Sequence, residues 1–85
     1  MRQFLAENLE YPNEARKDGI EGRVVVEFWV EKDGSITNVE VLRPVDRHLD
    51  AEAVRLIKSM PNWIPGEQRG KPVRVRFVMP INFRL

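Results

Sequence analysis

Pro72-Val73-Arg74-Val75-Arg76-Phe77-Val78-Met79-Pro80-Ile81-Asn82-Phe83-Arg84-Leu85 closes the chain on a two-residue alternation. Val73, Val75, Phe77, Met79, Ile81 and Phe83 share one parity, and Arg74, Arg76, Asn82 and Arg84 the other. That is the period of a strand with one face on a core and the other toward water. Proline has no N–H to give a neighbouring strand, so Pro80 puts at least that end of the run at a sheet edge. An edge strand can accept a further strand, and whether this edge is protected or used is the functional question the sequence poses.

A second alternation starts at Gly22. Val24, Val26, Phe28 and Val30 are expected to face the core, with Arg23, Val25, Glu27, Trp29 and Glu31 opposite. Lys32-Asp33-Gly34-Ser35 carries the Asp-Gly pair of a hairpin turn, and the chain returns as Ile36 to Arg43. Val39 and Val41 share a parity that Ile36 and Leu42 do not, so the returning strand needs a bulge near the turn or burial on both faces.

Two helical stretches complete the pattern. Phe4, Leu5, Asn8 and Leu9 share a helical face, which predicts a short helix from Met1 to about Asn8. Tyr11-Pro12 breaks it, Pro12 suits the first position of a new segment over Asn13 to Lys17, and Gly19 supplies the stop. The better helix is read from Asp50 as N-cap, with Leu49 stapling onto Val54. Ala53, Leu56, Ile57 and Met60 form its core stripe, Glu52, Arg55, Lys58 and Ser59 its exposed side, and Pro61 its end. Trp63 to Gly66 reads as an apolar lid, and Glu67 to Lys71 as an exposed connection into the closing strand.

Three strands, one hairpin and one helical crossover predict an α+β domain with helices on one face of the sheet. The first and last strands carry the longest apolar stripes, so they should pair, giving the order 2-1-3 with the closing strand at an edge. Periodicity leaves the crossover strand parallel or antiparallel.

The 85 residues suffice for a single domain, 1–85, with one core. Fourteen Lys and Arg against 13 Asp and Glu leave a net charge of +1, which is no footprint for nucleic acid. There is no cysteine, so neither disulfides nor thiolate metal sites arise. No apolar run approaches the roughly 18 residues of a membrane span, and the N-terminus is too polar for a signal peptide.

Catalytic chemistry finds little to use. Ser35, Ser59, Thr37 and the single His48 form no nucleophile and base set. Asp46-Arg47-His48-Leu49-Asp50 holds metal-ligand types, but at a helix start these residues act as caps and solvated charge. The glycines at 19, 22, 34, 66 and 70 are scattered turns. No enzyme, metal or cofactor is expected. On the outward face, Trp29 beside Arg74 and Arg76 reads either as cross-strand pairing, with Glu27 holding an arginine and an arginine covering the indole, or as a partner-binding face.

The ordered landmarks Tyr11-Pro12, Ala15, Gly19-Ile20-Glu21-Gly22, Asp33-Gly34, Asn38-Val39, Leu49-Asp50, Ala53, Trp63-x-Pro65, Gly70, Pro80 and Phe83 resemble the C-terminal domain of TonB, the Gram-negative energy transducer. Met60-Pro61-x-Trp63 and Val78 to Phe83 are similar to the variety common in Bacteroidetes. The resemblance implies two helices on one face of a three-stranded antiparallel sheet. It also implies a periplasmic module, anchored to the inner membrane through a longer parent protein, that engages the TonB box peptide of outer-membrane transporters by strand addition and passes on energy from a proton-driven inner-membrane complex. By the same resemblance, Val73, Arg74, Val75, Arg76, Phe77, Val78 and Met79 are the contact positions, with Asn8, Glu10 and Tyr11 near the Tyr-Pro break. The alternatives are a homodimer through the same edge, or a similar interaction domain on another membrane-anchored protein such as a sensor or peptidase.

Overall fold

A computed structural model describes residues 8–63 and 66–85. In chain order the elements are α1 (Asn13–Lys17), β1 (Gly22–Val30), β2 (Ile36–Arg43), α2 (Arg47–Lys58), β3 (Gly66–Gln68), β4 (Lys71–Val73) and β5 (Val75–Phe83). The main sheet has the order β2-β1-β5 with both pairings antiparallel. This is the α+β architecture read from the sequence, with the crossover now fixed as antiparallel.

The alternation in β1 becomes the centre of the core. Val24, Val26, Phe28 and Val30 are fully buried, and they share their face with Leu49, Ala53, Leu56 and Ile57 of α2 and with Ile81 and Phe83 of β5. The bulge expected in β2 is present. Asn38 takes a φ of 51°, and the register with β1 shifts between Glu27 and Trp29, which returns Val39 and Val41 to the face that Ile36 occupies.

Gly34 is constrained twice. Its φ is 87°, and a Cβ there would come within 2.2 Å of the Trp63 carbonyl oxygen, while its own carbonyl accepts the Trp63 N–H at 2.8 Å. The hairpin turn and the segment after α2 are therefore docked on one another through backbone that only glycine fits. Trp63 does cover the core, with its ring against Phe28 and Phe77 at centroid distances of 5.4 and 4.9 Å. Ile64 and Pro65 of the expected lid lie outside the described residues.

Four expectations need correction. The N-cap of α2 is Asp46, whose carboxylate accepts the His48 and Leu49 N–H groups; Asp50 lies a turn inside and accepts the Val45 N–H at 3.0 Å. Two aspartates four residues apart both suit a helix start, and the earlier one adds a turn that buries Leu49. Glu52, expected on the exposed side, is buried with only 7% of its surface exposed. The closing run is not one strand: Lys71–Val73 pairs with Gly66–Gln68 across a two-residue turn, and the chain resumes as β5 after Arg74. Arg69 and Gly70 at that turn have φ of 54° and 76°, the signs of a type I′ hairpin. Pro12 is the N-cap of α1 rather than its first residue. The helix expected from Met1 lies outside the described residues except for Asn8.

Candidate functional site

β5 pairs with β1 without interruption from Val30↔Val75 to Gly22↔Phe83, and no strand lies on its other side among the described residues. The direction of its backbone groups follows from the neighbouring hairpin. The Glu31 N–H bonds the Ser35 carbonyl on the β2 side at 2.9 Å, so by the two-residue alternation the odd positions of β1 turn toward β2 and the even ones toward β5. Val24, Val26, Phe28 and Val30 then bond Ile81, Met79, Phe77 and Val75, their register partners. Arg76, Val78, Pro80 and Asn82 turn N and C=O to the open side, the one arrangement in which Pro80 costs the sheet no hydrogen bond.

The helix-side face of this edge is apolar and partly uncovered. α2 packs across β2 and β1, and β5 is covered instead by Trp63 at Phe77 and by Tyr11 at Phe83. Ile81 and Phe83 are buried, but Val73, Val75, Phe77 and Met79 are only half-buried. An added strand would extend both the hydrogen-bonded ladder and this stripe.

The opposite face is a layer of paired charges. Arg76 donates to the Glu27 carboxylate through Nε at 2.9 Å and through a terminal nitrogen at 2.6 Å. Arg74 Nε reaches both Glu31 oxygens, at 2.9 and 2.8 Å, and its guanidinium lies 3.9 Å from the Trp29 ring centroid. Thr37 also donates to Glu31, and this bond followed by those from Arg74 holds the Glu31 carboxyl below its ordinary range. The cross-strand reading of Trp29 and the arginines is therefore the one found. Val78 stands in this face 46% exposed.

The remaining expected contact residues gather elsewhere. The Asn8 carbonyl accepts from Arg55 at 2.9 Å, and the Glu10 N–H donates to Glu52 at 2.7 Å. The Tyr11 hydroxyl donates to the Ile20 carbonyl, and its ring meets Phe83 edge-on at 5.8 Å. Tyr11 thus sits at the Phe83 end of β5, and Asn8 and Glu10 lie against Arg55 and Glu52 of α2, whereas Val75 to Met79 form the opposite half of β5. What the sequence reading missed is Glu52, the carboxylate that ties the Asn8–Tyr11 segment to α2. Burial pushes its carboxyl up, but the Arg55 hydrogen bonds and the Glu10 N–H outweigh this and hold it below the ordinary value. Its i, i+3 spacing to Arg55 was a visible signal of a pair, though not of burial. Among the described residues no group of His, Asp and Glu is placed to hold a metal ion.

Comparison with known proteins places the fold and the family. The family described as Gram-negative bacterial TonB protein C-terminal matches residues 7–85. Protein TonB of Vibrio cholerae serotype O1 is 37% identical over 76 residues, 88% of this chain and 31% of that protein. The chain therefore spans about a third of the length of that curated relative. Two solution structures of the Helicobacter pylori TonB C-terminal domain are similar in fold. One has a TM-score of 0.78 at 28% identity, covering 99% of this chain and 76% of that one. The other, a shorter segment, has a TM-score of 0.71 at 30% identity, covering 96% and 86%.

Proposed function

This chain belongs to the family of Gram-negative TonB C-terminal domains, a family of transport-associated energy transducers, and on that premise we propose that it is a periplasmic peptide-binding module whose site is the open edge of β5. The ligand is the TonB box, an extended peptide at the N-terminus of an outer-membrane transporter, bound as a fourth strand beside Arg76 and Val78. In the full-length parent, anchored in the inner membrane, the module would pass proton-gradient-derived force to that transporter. The observation that carries this reading is the edge left unpaired among the described residues, with its half-buried stripe of Val75, Phe77 and Met79.

Magnitudes say which groups matter. Arg76 and Val78 each offer one donor and one acceptor, and Pro80 offers only a carbonyl. At about 1 kcal/mol net per backbone bond, these contribute roughly half of the ~8 kcal/mol of a micromolar complex. Burial of peptide side chains against the apolar stripe has to supply the rest, at ~25 cal/mol per Å². Backbone bonding tolerates varied sequences, and the alternating side chains add selectivity.

Proline substitution tests the edge. Arg76→Pro or Val78→Pro removes an outward N–H and leaves the β1–β5 bonds intact, so the domain stays folded while titration calorimetry with a TonB box peptide shows at least tenfold weaker binding. Phe77→Pro removes an inward bond and destabilises the fold itself. Unchanged affinity in folded Val78→Pro would refute the edge as the site. Sedimentation at rising concentration separates this reading from a homodimer through the same edge, which would compete with the peptide.

A further inference from the structure

Where β5 begins, the chain holds a cleft of about 570 Å³ lined by Lys32, Gln68, Arg69, Lys71, Pro72 and Val73. Three of the six are cations and none is a carboxylate. The cleft beside α2, by contrast, contains Glu10 and Glu52, and the one at the other end of β5 contains Glu21. Lys32, Arg69 and Lys71 enter no ion pair among the described residues, whose pairs are Arg55–Glu52, Arg74–Glu31 and Arg76–Glu27. Of the carboxylates close in sequence, Asp33 takes the Ser35 N–H at 2.9 Å and its hydroxyl at 2.6 Å, Glu31 is held by Arg74 and Thr37, and Glu67, opposite Pro72 in the β3–β4 ladder, is not among the lining residues, so the cleft keeps a net positive charge. The backbone that carries two of the cations is fixed, since Lys71 stands opposite Gln68 in the β3–β4 ladder and Arg69 sits in its two-residue turn.

Position gives this charge a use. Val73 lines the cleft, and only Arg74 separates it from Val75, the first residue of the open edge. A strand laid along β5 and continued past Val75 comes level with Val73 and Pro72 in the wall of this cleft. The edge itself offers an acidic peptide little, because the guanidiniums of Arg74 and Arg76 are neutralised by Glu31 and Glu27. We propose that the Lys32, Arg69 and Lys71 cleft is a second contact for the partner peptide of β5, taking a short acidic segment that adjoins the bound strand. The proposal rests on the edge reading above. An anionic membrane surface fits less well, because the charges line a concave site whose apolar wall is only Pro72 and Val73.

The direction of the strand decides which end carries the acids. A partner antiparallel to β5 reaches the cleft with its C-terminal flank, a parallel one with its N-terminal flank. The probes are therefore an alternating Thr/Val peptide, the same peptide with an Asp-Glu-Asp flank at its N-terminus, and a third with the flank at its C-terminus. Binding is measured at low and high salt to the wild type and to Lys32→Gln/Arg69→Asn/Lys71→Gln, in which Asn keeps the left-handed turn position. We expect one flanked peptide, and only one, to bind roughly tenfold tighter than the plain peptide at low salt, with the gain shrinking as salt rises. In the triple variant the gain should vanish while the plain peptide binds as before. No gain from either flank, or an equal gain in the triple variant, overturns the proposal. Failure of the plain peptide together with cation-dependent binding of a flanked one would instead remove the edge reading and keep the cleft. Phosphatidylglycerol vesicles that bind the wild type but not the variant, with no peptide gain, would assign the charges to a membrane and also overturn it.

Discussion

Glu52 does the most at the scale of one residue. Its carboxylate accepts from Arg55 at 2.6 and 2.8 Å and from the Glu10 N–H, while Arg55 also donates to the Asn8 carbonyl. Because its carboxyl is held below the ordinary value in the folded chain, the stability it contributes is fully present above roughly pH 4.5 and is lost as pH falls through the depressed value. Glu52→Gln should cost about 1–2 kcal/mol at neutral pH, a fall in Tm on the order of 4–15 °C. Melts at decreasing pH should begin to narrow the gap between wild type and variant below roughly pH 4.5 and close it only once pH has fallen through the depressed value, where the wild-type carboxyl is also protonated. A constant gap would show that the charge is not what stabilises. Tyr11 offers a complementary measurement, as the single tyrosine of the chain. Burial raises its hydroxyl above the ordinary value, Glu21 adds to this, and Arg16, 5.7 Å from the ring, opposes it. Here the sign is reversed, so stability is present below about pH 10 and lost as pH rises through the elevated value. An absorbance titration of the phenol should have its midpoint above that of free tyrosine and coincide with alkaline loss of structure.

At the scale of elements, the hairpin and the segment after α2 stand or fall together at Gly34. Gly34→Ala combines a positive φ with a Cβ 2.2 Å from a backbone oxygen, and neither strain can relax by a rotamer change. It should cost about 2–4 kcal/mol, measured by urea unfolding, whereas Gly19→Ala, with φ of 67° and open space around the Cβ, should cost only about 1 kcal/mol. Asp33-Gly34 announced the turn in the sequence, but nothing local announced that Trp63 would dock on it, because that contact joins residues 29 positions apart. The same division runs through the fold. The parities of β1 and β5 and the stripe Ala53, Leu56, Ile57 and Met60 were legible because one buried face imposes a period. The edge position of β5 was legible because Pro80 cannot donate. The N-cap was misassigned since Asp46 and Asp50 present the same chemistry, and tertiary burial of Leu49 decides between them. The β3–β4 hairpin was missed because Arg69-Gly70 is a weak turn signal and the polarity of Glu67 to Lys71 has no period. Of the candidate site, the strand was visible and the neutralisation of Arg74 and Arg76 by Glu31 and Glu27 only partly so, since cross-strand partners depend on register.

At the scale of the whole molecule, what matters is where load would enter and leave. The protein is elongated, 49 × 23 × 14 Å, and the Asn8–Tyr11 segment is fastened by Arg55 and Glu52 of α2 and by the Tyr11 ring on Phe83, the last residue of β5. The proposed peptide site at Arg76 and Val78 lies toward the other end of that strand, whose nine residues span about 26 Å from first to last at ~3.3 Å per residue. Tension applied from the N-terminal side enters the sheet at Gly22, the register partner of Phe83, so a peptide on β5 pulled from beside Val75 loads the ladder along the strand axis. Ladder hydrogen bonds lie perpendicular to that axis, so they share the load when the peptide slides and break singly when it is peeled from one end. The two cases can be produced at will by tethering the domain through its N-terminal side and the peptide through either terminus, its orientation fixed by a spin label that broadens the amide signals of one end of β5. In optical-tweezer pulls at equal loading rate, the tether on the peptide end beside Val75 drags the strand away from the Gly22 end and shears the ladder, so it should rupture at the higher force. The tether on the end beside Phe83 opens the ladder one bond at a time and should rupture at a clearly lower force. Equal forces would mean that the peptide is held by side chains outside the ladder, and the edge of β5 would lose its mechanical role.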